Sequence, residues 1–167
     1  MQHTNYKTLS LTNYNTYIFS AMFIVGNILL PQLCHLVPQG GLMLLPIYFF
    51  TLVGAYCYGI NLGLLTAVLS PVVNSMLFGM PPAAALPAIL VKSVSLAVVA
   101  SYVAHRSQRV SIGLLALVVV AYQIVGMAFE FVYTGSLYAA LQDVRLGIPG
   151  LLMQVLLGYV FIKKISK

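Results

Sequence analysis

SIGLLALVVVAYQIVGMAFEFVY, residues 111–133, is a continuous apolar run whose one charged residue is Glu130. About 20 such residues in helical form cross the hydrocarbon core of a bilayer, so this stretch alone predicts a membrane-spanning helix. It lacks the strict polar–apolar alternation and frequent turns of an outer-membrane barrel strand. The rest of the chain has the same character: of 167 residues, 61% are hydrophobic and only 6% are charged. A water-facing surface needs roughly 25–35% charged residues, so lipid is the main solvent here and a water-soluble fold is excluded.

Five more apolar segments flank the first. They run from Tyr17 to Cys34, Leu42 to Tyr58, Ile60 to Phe78, Ala83 to Ala104 and Leu146 to Ile162, with Ser111 to Tyr133 as the fifth in chain order. Turn-forming residues separate them: Pro38-Gln39-Gly40-Gly41, Gly59, Gly79-Met80-Pro81-Pro82 and Pro149-Gly150. Pro31, Pro46, Pro71 and Pro87 fall within the segments, which a lipid-phase bundle tolerates when neighbours satisfy the freed carbonyls. The first segment has a long polar flank and no small-residue cleavage site, so it is read as a retained span rather than a signal peptide.

The expected fold is therefore all-α: a polytopic membrane protein, a compact bundle of six transmembrane helices with both termini cytoplasmic. Residues 1–16 form a cytoplasmic N-terminal segment, residues 17–162 the bundle and residues 163–167 a basic cytoplasmic tail. Orientation follows from the basic residues. An inside N-terminus puts Lys7, Arg106, Arg109, Lys163, Lys164 and Lys167 on the cytoplasmic side. The other face keeps Arg145, partly neutralised by Asp143.

Composition also limits function. The net charge of +6 comes from a few basic residues at helix ends, which does not suit nucleic-acid binding. Cys34 and Cys57 are far apart and form no CxxC or Cys/His cluster, so no metal site or disulfide framework is expected. No GxxxxGK[ST] loop occurs, and there is no paired Asp, HExxH or Ser–His arrangement, so the chain is not read as an enzyme and needs no cofactor.

Polar residues inside lipid are costly and mark seams or sites. Helical spacing aligns Gly63, Thr66, Ser70 and Asn74 on the third segment, and Ala85, Ala88, Lys92 and Ser95 on the fourth. It aligns Gln123, Gly126, Glu130 and Thr134 on the fifth, and Gly150, Gln154 and Gly158 on the sixth. Most of these stripes read as packing seams between close helices. Lys92 and Glu130 are the exceptions. Lys92, counted from Ala83, lies about 13 Å along its helix at 1.5 Å per residue. Two readings are open: a Lys92–Glu130 ion pair that locks two helices, or a polar pocket open to the outside in which Lys92 meets an anionic group. The candidate ligand residues are His35, Gln39, Asn74, Met80, Lys92, Gln123 and Glu130. Tyr48, Tyr56, Tyr58 and Tyr122 are either stacking surfaces for a planar ligand or interfacial anchors.

Residues 35–82 resemble the substrate-binding S components of energy-coupling factor (ECF) vitamin transporters. The resemblance rests on His35-Leu-Val-Pro38, Gly41, Pro46, Gly54, Gly59, Gly63, Ser70-Pro71, Ser75 and Phe78-Gly79-Met80-Pro81-Pro82. It implies capture of a water-soluble vitamin or precursor from outside, under a lid of outer loops. Uptake would then use a transmembrane coupling subunit and two cytoplasmic ATPase subunits in a prokaryotic cytoplasmic membrane. Ser20, Ala21, Gly26, Gly59 and Gly63 are the small residues on which a partner helix would slide. The chain departs from the family in having Ile47-Tyr48 after Pro46, and Lys92 where relatives often carry an acid. An uncompensated Lys92 favours a carboxylate-bearing ligand over a cation, because like charges repel strongly at low dielectric. A neutral ligand stays open if Glu130 already pairs with Lys92. The competing expectation is a membrane scaffold of the rod-shape-determining type, with no ligand.

Overall fold

A computed structural model of the chain describes residues 8–166. Lys7 and Lys167, which the charge argument places on the cytoplasmic side, lie outside these residues. Among the described residues every element is helical. The elements are α1 (Tyr14–Cys34), α2 (Gly40–Leu44), α3 (Phe49–Tyr58), α4 (Ile60–Phe78), α5 (Leu86–Ser107), α6 (Ile112–Thr134), α7 (Leu137–Ala140), α8 (Gln142–Leu146) and α9 (Ile148–Ile165). A 3-10 turn, Pro46–Tyr48, leads directly into α3.

Five helices, α1, α4, α5, α6 and α9, are long and apolar enough to cross a membrane. Their ends carry ordinary stop and start chemistry. Asn13 and Ser111 accept backbone N–H groups at the starts of α1 and α6. Gly79 and Gly135, both at φ 66°, end α4 and α6 in the left-handed conformation that a residue without Cβ adopts most easily. Pro87 and Pro149 sit in the first turns of α5 and α9, where a missing N–H costs no helical bond. Pro87 is thus an initiator, not the interior proline expected from the sequence, because α5 begins at Leu86 instead of Ala83.

The second apolar segment is not the single helix expected over Leu42 to Tyr58. It breaks at Leu45, which adopts φ 46° and ψ 47° just before Pro46. Proline crowds the α conformation of its predecessor, so helix α2 cannot run through it. The remaining apolar helix, Pro46–Tyr58, is shorter than a bilayer-crossing span. Every residue from Pro46 to Cys57 is buried except Phe50, which is partly so. This short helix is the hub of the bundle, walled by α1, α4, α5 and α9. Its apolar sequence reflects contact with protein rather than with lipid.

Polar side chains tie the hub to α1 and α4. Asn27 of α1 is fully buried; its amide nitrogen donates to Thr51 Oγ1 at 3.0 Å and Ser70 Oγ at 3.3 Å. Its carbonyl oxygen accepts from the Phe50 backbone N–H at 3.1 Å. That N–H belongs to the first turn of α3 and has no helical acceptor of its own. At the other side of the hub, a Cβ at Gly150 would strike the Leu44 carbonyl, so α9 packs directly on the backbone of the break.

One end of the bundle gathers Arg106, Arg109, Lys163 and Lys164, at the α5–α6 junction and the end of α9. It is tied shut by hydrogen bonds between residues far apart in the chain. Leu9 N–H donates to the Tyr58 carbonyl at 3.0 Å, Asn61 donates to the Leu9 carbonyl at 3.0 Å, and the Tyr56 hydroxyl donates to the Arg109 carbonyl at 2.8 Å. The opposite end carries the three longest connections, between α1 and α3, α4 and α5, and α6 and α9.

Candidate binding site

Lys92 lies on α5, facing Gly126 of α6. A Cβ at Gly126 would run into the Lys92 stem, so the small residue opens the path along which the lysine crosses. At the end of that path the ammonium donates to Glu130 Oε2 at 2.6 Å and to Asp143 Oδ2 at 2.9 Å. The Lys92 side chain is 4% exposed, against 10% for Asp143 and 18% for Glu130. Because α5 starts at Leu86, Lys92 is the seventh residue of its helix, about 9 Å from the start rather than 13 Å. It is withdrawn by burial among protein groups more than by depth.

The Lys92–Glu130 ion pair, one of the two readings open from the sequence, is present. Asp143 is the partner that sequence reasoning missed. Its neighbour two residues on, Arg145, looked like its counter-ion, but Arg145 stacks on the Tyr138 ring at 3.9 Å and donates to the Tyr138 hydroxyl at 3.0 Å. Asp143 instead turns inward on α8, and the connection between α6 and α9 is fastened to α5 through it. The only sequence signal was that an acid in a short polar turn had a lone buried lysine elsewhere to answer.

One turn before Gly126 on the same face of α6, Gln123 is 3% exposed. Its amide nitrogen donates to the Tyr122 hydroxyl at 3.2 Å, and that hydroxyl donates to Gln154 Oε1 of α9 at 2.9 Å. The Gln123 carbonyl oxygen at one end of this relay and the Gln154 amide nitrogen at the other have no partner among the described residues. Tyr122 also pairs with Tyr48 of the 3-10 turn, ring centroids 5.5 Å apart. These two tyrosines are buried and line the interior. Tyr56 and Tyr58 are elsewhere, at the basic end, where Tyr58 stacks on Phe19 with centroids 4.9 Å apart.

The other candidate residues do not join this cluster. Asn74 is buried and accepts from Gln32 of α1 at 3.3 Å, a link between α1 and α4. His35, Gln39 and Met80 are exposed on the connections at the loop-rich end. The His35 ring lies against Gly41, and no hydrogen bond or ion pair joins any of these three to Lys92 among the described residues.

The five small residues read as a partner-docking surface are mostly internal. A Cβ at Gly63 would meet Ala55 and one at Gly26 would meet the Phe50 ring, while Ser20 and Gly59 are buried. Ala21 alone of the five is exposed. Close backbone approach, which favours small residues, is used here to pack α1 and α4 on the hub. The stripes on α4 and α9 are internal: Gly63, Thr66 and Ser70 are buried as packing seams would be, and so are Asn74, Gly150, Gln154 and Gly158. No group of three or more His, Cys, Asp or Glu side chains suited to a metal ion occurs among the described residues. No protein-family model matches the chain, and neither a curated protein nor a solved structure matches it.

Proposed function

We propose that this chain is the substrate-binding membrane subunit of an ECF-type importer, which captures a water-soluble vitamin or precursor from outside for ATP-driven uptake. The observation that carries the reading is the buried Lys92–Glu130–Asp143 cluster. It lies at the end of the bundle where the connecting segments gather, and on the same helix as Glu130 the buried Gln123 carbonyl has no partner among the described residues. Ionisable groups at membrane depth are expensive and are kept where they meet a substrate or pair with each other. The resemblance over residues 35–82 supports the same reading. In this proposal ATP is hydrolysed by two partner subunits, and a coupling subunit meets a surface other than the buried faces of Gly26, Gly59 and Gly63.

The proposal includes a topology of six membrane crossings with both termini cytoplasmic. The basic end faces the cytoplasm, and the cluster faces outward. Pro46–Tyr58 is the short crossing, completed by α2 and shielded from lipid by its neighbours. A cysteine introduced at Gln39, with Cys34 and Cys57 replaced, is then labelled by a membrane-impermeant maleimide in intact cells. One at Lys164 reacts only after permeabilisation. The reverse pattern would overturn the orientation.

Binding is tested by melting the purified chain in detergent against a panel of water-soluble vitamins and precursors. A true ligand at about 100 times its Kd stabilises the folded state by roughly 2.7 kcal/mol, which shifts the melt visibly. The alternative, a rod-shape-determining-type scaffold without a ligand, is favoured by the mutual satisfaction of Lys92 with two acids. It predicts a flat panel from a well-folded sample.

A further inference from the structure

We infer that the ligand is a cation, an organic ammonium or a protonated nitrogen heterocycle, received by Glu130 and Asp143 with Lys92 as their fixed internal counter-ion. The inference rests on the binding-subunit reading and names its substrate class.

The cluster holds one ammonium and two carboxylates, which leaves a formal charge of −1 when all three are ionised. Among the described residues no other cation forms an ion pair with either acid: Arg145 is held on Tyr138, and His35 lies exposed against Gly41. A charge excess among side chains this buried is poorly solvated, and a ligand of opposite sign relieves it.

Hydrogen-bonding capacity points the same way. Lys92 spends two of its three N–H donors on Glu130 Oε2 and Asp143 Oδ2. The second oxygen of each carboxylate accepts no bond from the described residues. The cluster thus presents two free acceptors against one remaining lysine donor. An ammonium or a protonated ring nitrogen supplies donors to such a set, whereas a carboxylate would find one free donor and two like-charged oxygens facing it. The preference for an anion drawn from a lone Lys92 reverses, because the lysine is compensated twice.

The test uses thiamine and pyridoxamine as cationic probes, pyridoxine and riboflavin as neutral ones, and biotin, pantothenate and nicotinate as anionic ones. Each is measured by thermal shift and by equilibrium binding to the full chain and to Glu130→Gln. That substitution keeps the Lys92–Asp143 pair and brings the formal charge to zero. The expected result is stabilisation by at least one cationic probe, with affinity at least about tenfold weaker in Glu130→Gln. Binding of anionic or neutral probes alone would overturn the cation assignment and leave the binding-subunit reading standing. So would a cationic probe whose affinity does not change in Glu130→Gln. No stabilisation by any probe, from a sample with a cooperative melt, would overturn both.

Discussion

Replacing Lys92 with Met is expected to destabilise the folded chain by about 3–5 kcal/mol. The lysine answers two carboxylates at once, at 2.6 Å and 2.9 Å, with its own side chain only 4% exposed. Removing it leaves two like charges facing each other with little water to solvate them. Removing a partner from a buried ion cluster costs far more than the cluster itself contributes, since the remaining charge keeps its desolvation penalty. The triple variant Lys92→Met, Glu130→Gln, Asp143→Asn should therefore regain most of the loss, because no charge is stranded. Detergent melts of the single and triple variants check this. A single variant as stable as the parent would mean that both carboxylates reach water in solution.

Asn27→Leu is expected to cost about 3 kcal/mol or more, although it exchanges a polar residue for an apolar one inside an apolar helix. Asn27 satisfies the Thr51 and Ser70 hydroxyls and the Phe50 backbone N–H, all at the hub. Each buried polar group left unpaired costs about 1–3 kcal/mol, and three are released together. Asn27→Asp should be tolerated no better, because the donors to Thr51 and Ser70 are lost and a charge is added. The check is the detergent melt, with Val25→Leu on the exposed face of α1 as the neutral control. A melt unchanged by Asn27→Leu would show that the hub is held by packing alone.

The two residues show where sequence reading reaches and where it stops. Lys92 and Glu130 were legible because each is a lone charge in an apolar helix, on a face of small residues. Asn27 was passed over because one asparagine in an apolar run gives no sign of which face is buried. Asp143 was misread because Arg145 stands two residues away, and sequence proximity suggested a local pair. Its true partner is 51 residues distant in the chain. The segment from Ile60 to Phe78 was read to the residue, since Gly59 and Gly79 bound it with chemistry visible in the sequence. The segment from Leu42 to Tyr58 was not, since apolar residues facing lipid and apolar residues facing protein look alike.

What the amino-acid sequence determined by itself is the phase in which the chain folds and the helical form it takes there. Both follow from local quantities, the length and continuity of apolar runs and the residues that cap them. Tertiary structure decided the short buried hub, the inward turn of Asp143 and the number of carboxylates that meet Lys92. Those depend on which surfaces meet, and a buried lysine changes its meaning with the number of carboxylates that packing brings to it.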